Sequence, residues 1–155
     1  DKKAIDLYPI FSNDEKAYVL SDTGKLFAYD KNMQYQVFEP FKDLPKQDYY
    51  YNQEANPLAI DKNTLLYSVF NNEKGYTVGL LTVGPEPSFQ PLEKDYIKAD
   101  SNYRFIYQDI ERGEVYLLKM NEEESRVIVI DNKSFDKKVD FPVEYGHLLD
   151  FIVKN

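Results

Sequence analysis

Apolar and polar residues alternate along this chain in short runs that are typical of β-strands. Tyr18-Val19-Leu20 and Leu26-Phe27-Ala28-Tyr29 flank the turn residues Ser21 to Gly24. Asp and Ser side chains favour turns, and glycine adopts positive φ without a Cβ clash. Two β-rich runs around a short glycine-bearing connection predict a hairpin. Tyr35 to Phe38 alternates in the same way after a second turn, so the region predicts a three-stranded antiparallel meander.

The same arrangement recurs twice further along the chain. Gly75 separates Thr64–Phe70 from a second apolar run, and Gly113 separates Tyr103–Ile110 from another. The unequal spacing indicates a weak internal repeat of about the size of a propeller blade. The segment DTGKLFAYD resembles the inner-hairpin turns of repeat β-propellers, and this resemblance implies architecture but no activity. Three units are too few to close a propeller, so a fragment of a longer chain, ring closure by an oligomer, an open curved sheet and a sandwich are the alternatives.

The remaining patterns extend the same picture to the rest of the chain. Turn residues recur about every 8 to 12 positions, as in sandwiches, barrels and propellers, and no helix-period segment of three turns is present. Further strands are predicted at 5–11, 57–60, 88–92, 126–130, 135–141 and 148–153. We therefore predict an all-β fold of antiparallel meanders, propeller-like or sandwich-like, in a single domain that covers residues 1–155.

A candidate binding site lies in the least regular region, between Phe41 and Asn56. Three consecutive tyrosines, Tyr49, Tyr50 and Tyr51, occur in what reads as a long surface connection. Tyrosines on exposed loops supply a large contact area at low entropic cost and recur at interfaces. They predict a site for a protein or a carbohydrate, with Tyr35 and Tyr96 as candidate neighbours. The alternative is that one or two of the three pack under the loop against the core.

Charge and residue inventory narrow the classes of partner and chemistry. The chain has 27 acidic and 19 basic residues and a formal net charge of −8, which disfavours nucleic acid and anionic membrane surfaces. The same charge suits a basic partner, so an acidic inhibitor or immunity-type protein is an alternative. Without cysteine, and with His147 as the single histidine, thiolate and His-rich metal sites are excluded. No phosphate-binding glycine loop is present, so we expect no cofactor, and no apolar run reaches membrane-spanning length.

Asp22-Thr23-Gly24 is the same tripeptide that aspartic proteases carry. That chemistry needs two such aspartates that share a proton, and this chain contains the tripeptide once, flanked by Ser21 and Lys25. A hairpin turn accounts for every residue of the segment. A hydrolase of unfamiliar kind, using carboxylates such as Asp22, Asp30 or Glu39, is the second alternative.

These features together predict a non-catalytic binding module rather than an enzyme. The acidic, tyrosine-rich chain begins at Asp1, as an exported protein does after signal cleavage and as an excised domain also does. We expect an extracellular or cell-envelope bacterial protein that binds its ligand through aromatic residues on a rigid β-scaffold. A cytoplasmic location is the alternative, and homo-oligomerisation stays open.

Overall fold

The computed structural model describes residues 5–44, the backbone of residues 49–51, and residues 57–144. This part of the chain contains strands and turns but no helix, which confirms the all-β prediction. Sheet 1 contains β1 (Leu7–Ser12), β2 (Ala17–Ser21), β3 (Leu26–Tyr29) and β4 (Tyr35–Phe38), in that order. Sheet 2 contains β5 (Tyr49–Tyr51), β7 (Thr64–Asn71), β8 (Gly75–Thr82) and β9 (Ser88–Pro91), with β6 (Leu58–Ala59) also paired to β7. Sheet 3 contains β10 (Asn102–Asp109), β11 (Glu114–Met120), β12 (Ser125–Asp131) and β13 (Lys137–Val143). All pairings are antiparallel.

The three sheets stack as layers, with sheet 2 in the middle. One apolar cluster joins Leu20 and Leu26 of sheet 1 to Leu65 of sheet 2. A second cluster joins Leu66 of sheet 2 to Leu117 of sheet 3. Successive residues of a strand point to opposite faces, so neighbouring leucines in β7 enter different clusters. The result is a sandwich-like stack, and the described residues form no closed barrel or propeller.

The central strand β7 differs from the others because it is buried on both faces. Residues 65–69 are all buried, and the sequence there is a nearly continuous apolar run rather than an alternation. A strand covered on both sides requires this pattern. It therefore places β7 in the middle layer of the stack.

Most hairpin turns begin with an Asn or Asp whose side chain accepts hydrogen bonds from the following backbone. Oδ1 of Asn13, Asn71, Asn121 and Asp131 each accepts the amides two and three residues ahead, at 2.8 to 3.0 Å. Such a side chain satisfies backbone donors that the ladder leaves open and fixes the direction of the turn. The periodic polar clusters of the sequence thus specify where each strand ends.

The three turn glycines predicted from the sequence all adopt positive φ, at 77° for Gly24, 76° for Gly75 and 65° for Gly113. At Gly75 a Cβ atom would lie 2.1 Å from the carbonyl oxygen of Ala99, so this turn packs closely on the segment that leads to sheet 3. Gly24 and Gly75 join the second and third strands of sheets 1 and 2, whereas Gly113 joins the first two strands of sheet 3. The three hairpins therefore occupy different places in their sheets.

The tyrosine segment is not the surface loop that we predicted. The backbone of Tyr49–Tyr51 forms β5, the edge strand that pairs with β7, with Tyr50 opposite Phe70. Tyrosine favours strands, and pairing with β7 satisfies the backbone groups that a loop would leave to water. The predicted last strand, at 148–153, and His147 lie outside the described residues.

Candidate functional site

The outer face of sheet 1, which points away from sheet 2, carries three neighbouring aromatic side chains that are exposed or half-buried. The buried residues Tyr18, Leu20, Leu26 and Ala28 pack against sheet 2, and the alternate residues therefore point outward. We call this surface the aromatic face. It consists of Val19, Phe27, Tyr29, Tyr35 and Val37.

Strand register arranges the aromatic face in two rows. Val19, Phe27 and Val37 lie directly opposite one another across β2, β3 and β4, and Tyr29 lies opposite Tyr35. The Tyr35 ring centroid is 5.3 Å from that of Tyr29 and 5.7 Å from that of Phe27, both in tilted contact. Aromatic and β-branched cross-strand pairs of this kind stabilise a sheet. They also hold the rings in fixed positions.

The aromatic face is accessible to solvent. Tyr35 is 57% exposed and Val37 is 47% exposed, and the other three members are half-buried. Leu7 and Met33 extend the apolar surface at its borders, at 45% and 74% exposure. A contiguous exposed apolar patch is uncommon on a soluble domain and usually indicates an interaction site.

A cleft of about 500 Å³ adjoins the aromatic face at one end of sheet 1. Its floor includes Ala17, Val19 and Tyr29, and its walls are the β1–β2 turn and the β3–β4 turn. Asp30 and Lys31 place one acidic and one basic side chain at the wall. The cleft therefore offers an apolar floor with charges of both signs at its border.

A second cleft, also about 500 Å³, opens between sheets 1 and 2. Tyr18, Phe38 and Val83 contribute apolar lining, and Gln36 and Asn63 contribute amides. Asn13 connects the two sheets here, because its Nδ2 donates to the carbonyl oxygen of Lys62 at 3.2 Å. The β1–β2 turn thus borders both clefts.

The tyrosines predicted to form one site lie in different parts of the structure. Tyr35 belongs to the aromatic face. Tyr49, Tyr50 and Tyr51 lie on sheet 2 by their backbone, and their side chains are outside the described part of the molecule. Tyr96 is only 5% exposed, and its hydroxyl donates to the carbonyl oxygen of Phe135 at 2.9 Å. Burial raises the pKa of Tyr96, so this residue is structural and the expectation that it joins an exposed cluster was wrong.

Phe27 and Tyr29 are the site residues that sequence reasoning missed. Both were predicted as strand residues, but not as neighbours of Tyr35. The signal was present in the alternation, because Tyr35 and Val37 follow a tight turn and must face the same side as Tyr29 and Phe27. Which side is exposed depends on sheet 2, and the local pattern does not contain that information.

The carboxylates considered for hydrolysis are not gathered at one place. Asp30 lines the cleft beside the aromatic face, and its Oδ1 accepts the backbone amides of Asn32 and Gln34. Glu39 lies 4.0 Å from Lys25 Nζ at the border of sheet 1. Asp22 keeps one buried oxygen, Oδ1, without a hydrogen-bond partner. Among residues 5–44 and 57–144, no three His, Asp or Glu side chains are grouped so as to hold a metal ion.

The strongest perturbation of a carboxylate occurs in sheet 3, away from the aromatic face. The backbone amides of Ser134 and Lys133 donate to Asp131 and lower the pKa of its carboxyl group to about 2. Lys138 Nζ, 3.5 Å from Oδ2, acts in the same direction. The hydrogen bonds that Asp131 accepts close the β12–β13 turn. The lowered pKa of Asp131 therefore reflects the structure of this turn.

Comparisons with known proteins assign no family to the chain: no family model, no curated protein and no solved structure matches it. The described residues include no helix long and apolar enough to cross a membrane.

Proposed function

We propose that this protein is a non-catalytic binding module that uses the aromatic face of sheet 1 to bind an apolar surface of a partner protein. The observation that carries the proposal is the exposure of Tyr35 and Val37 within an ordered row of apolar side chains. Tyrosine and other rings held on a rigid scaffold lose little conformational entropy on binding. An exported or cell-envelope location suits such a module and belongs to the same proposal.

A protein ligand fits the surface better than a carbohydrate. Sugars require polar groups close to a stacking ring, and the centre of the aromatic face contains valines beside Phe27 and the two tyrosines. Charged side chains lie at the border, where Lys25 and Glu39 form an exposed pair. An apolar centre with a polar border is the usual anatomy of a protein interface.

The acidic inhibitor hypothesis rests on a different property, the net charge of −8. It predicts binding to a basic partner that weakens steeply with salt. Binding through the aromatic face is instead driven by burial of apolar area. Salt dependence therefore separates these two hypotheses.

The direct test compares two tyrosine substitutions of similar exposure. Tyr35 lies on the aromatic face, and Tyr107, 45% exposed, lies on sheet 3. The wild type, Tyr35→Ala and Tyr107→Ala are immobilised and exposed to extracellular and envelope proteins of the source organism, and the affinity of each retained protein is measured. We expect a partner whose affinity falls about tenfold or more with Tyr35→Ala, as for an interface hot spot.

The control variant Tyr107→Ala should retain the partner unchanged. Equal loss in both variants, or no loss in Tyr35→Ala, would contradict binding through the aromatic face. Loss of wild-type binding in moderate salt would favour the acidic inhibitor instead.

A further inference from the structure

The exposed edge strands of the three sheets are not equally protected against pairing with another strand. β1 contains Pro9 and a register shift, and β9 ends at Pro91. β13 contains Lys137, Lys138 and Pro142, together with a register shift. Prolines, lysines and bulges at an edge prevent unwanted strand addition. β4, with the sequence YQVF, contains none of these features.

Among the described residues, no strand pairs with the outer side of β4, which presents the backbone groups of two residues. The amide of Asp30 donates to the carbonyl oxygen of Gln34 at 2.9 Å, which fixes the alternation of the β3–β4 ladder. Residues opposite each other alternate between bonded and non-bonded pairs in an antiparallel ladder. Gln36 and Phe38 therefore bond to β3, whereas the N–H and C=O groups of Tyr35 and Val37 point away from it.

We infer that β4 pairs antiparallel with β4 of a second copy of this chain, around a two-fold axis at Gln36. This register places Tyr35 of each copy opposite Val37 of the other, and all four outward N–H groups find a carbonyl partner. A two-fold register centred on Tyr35 or on Val37 would leave some of these N–H groups without a carbonyl partner in β4 of the other copy. The edge is therefore complementary to itself.

The side chains support the same register. Opposite residues of an antiparallel pair lie on the same face, so Tyr35 would contact Val37 of the other copy on the outer side. Within sheet 1 an aromatic residue already lies opposite Val37, namely Phe27. No charged side chain occurs in β4. The two aromatic faces would then form one continuous surface across two joined sheets.

Size and charge determine how strong this association is. Four-residue strands bury less area than the roughly 1,000 Å² expected of a stable interface, so the dimer is weak and depends on protein concentration. Each copy carries a net charge of −8, and like charges repel. Added salt screens that repulsion, so the dimer strengthens with ionic strength, opposite to an association of oppositely charged surfaces.

Sedimentation velocity of the full chain over a range of concentrations at low and high salt tests the inference. We expect reversible dimers whose fraction rises with protein concentration and with salt concentration. Val37→Pro removes an outward-pointing donor and the valine side chain but no hydrogen-bond donor of the β3–β4 ladder, so this variant should remain folded and monomeric. Val37→Ala also removes the valine side chain but keeps the N–H, so this control should still dimerise.

Three outcomes would overturn the inference: a monomeric wild type throughout, unchanged dimerisation of Val37→Pro, or loss of dimers in Phe27→Ala, which would place the contact on the aromatic face. If Val37→Pro fails to fold, hydrogen exchange of the wild type decides instead. The amides of Tyr35 and Val37 should become protected as protein concentration rises, and equal exchange rates at all concentrations would contradict the pairing. Because no other partner is present, this test is independent of the proposed binding function.

Discussion

The two faces of sheet 1 are built from alternate residues of the same four strands, yet they contribute differently to the protein. On the inner face Leu20 and Leu26 are 1% and 0% exposed. On the outer face Tyr35 and Val37 remain about half exposed. Both faces are apolar. The comparison shows that hydrophobic composition alone does not distinguish a stabilising face from a recognition face, since burial decides this.

Sheet 3 provides a second comparison, because its outer face is also apolar but is buried only on the two central strands. Tyr116, Leu118, Val127 and Val129 form a cluster there with exposures from 0% to 6%. On the same face, Tyr107, Val139 and Phe141 of the edge strands are 45%, 50% and 36% exposed. Sheet 1 differs because residues of its central strands, such as Phe27 and Tyr29, are only half-buried on the outer face. We expect the stability of the fold to depend on the inner face of sheet 1 far more than on the aromatic face.

The largest effect should come from the inner face. Leu26→Ala removes a fully buried side chain from the cluster between sheets 1 and 2. Loss of transfer free energy together with a residual cavity typically costs about 2 to 5 kcal/mol. Chemical denaturation with urea should show a loss of this size in the free energy of unfolding. A loss below about 1 kcal/mol would mean that the layers pack loosely.

A smaller effect is expected from the neighbouring residue on the outer face. Phe27 is half-buried and touches Tyr35, so Phe27→Ala should lower the free energy of unfolding by about 1 kcal/mol or less. The same denaturation experiment measures it, with Leu26→Ala as the adjacent control. If the two substitutions cost the same, the outer face would also be a structural core.

The smallest effect on stability should come from a charge in sheet 3. Its removal should leave both faces of sheet 1 unaffected. The pKa of Asp131 falls from 3.8 to about 2 in the folded state, because folding stabilises the ionised carboxylate. Its contribution to stability is complete above about pH 4 and disappears as the pH falls towards 2. Asp131→Asn should therefore reduce the melting temperature at neutral pH, with a difference that narrows as the pH falls through this range.

Thermal melts of the wild type and Asp131→Asn between pH 7 and pH 2 would measure this difference. The β11–β12 turn provides a reference, because there the neutral side chain of Asn121 accepts the amides two and three residues ahead, as Asp131 does in its own turn. A difference in melting temperature that stays constant with pH would show that the charge of Asp131 contributes nothing.

Much of the fold was predictable because turns are local. The Asn and Asp residues that begin the turns, and the three glycines with positive φ, mark strand ends within a few positions of where they occur. The tyrosine segment was predicted less well. Tyr49–Tyr51 has strand propensity, but its strand exists only because β7 lies beside it, and that pairing joins residues about 20 positions apart.

The candidate site was predictable only in part, for the same reason. Tyr35 was selected as an aromatic residue near other tyrosines, but its actual neighbours, Phe27 and Tyr29, became evident only when the register of sheet 1 was known. Tyr96 was selected on residue type and is buried because segment 92–101 packs into the cluster between sheets 2 and 3. Residue type indicated a capacity for binding, but accessibility was required to locate it.

The β-strands, the turns between them and the antiparallel meander follow from local sequence, because side-chain alternation and turn chemistry act over a few residues. The local pattern does not specify the order of the layers, the double burial of β7, or which apolar face of sheet 1 remains open to solvent. These depend on contacts between sheets, such as Leu26 with the cluster that includes Leu65. A period of two residues assigns every side chain to a face of its sheet, but only the neighbouring sheet determines whether that face is covered.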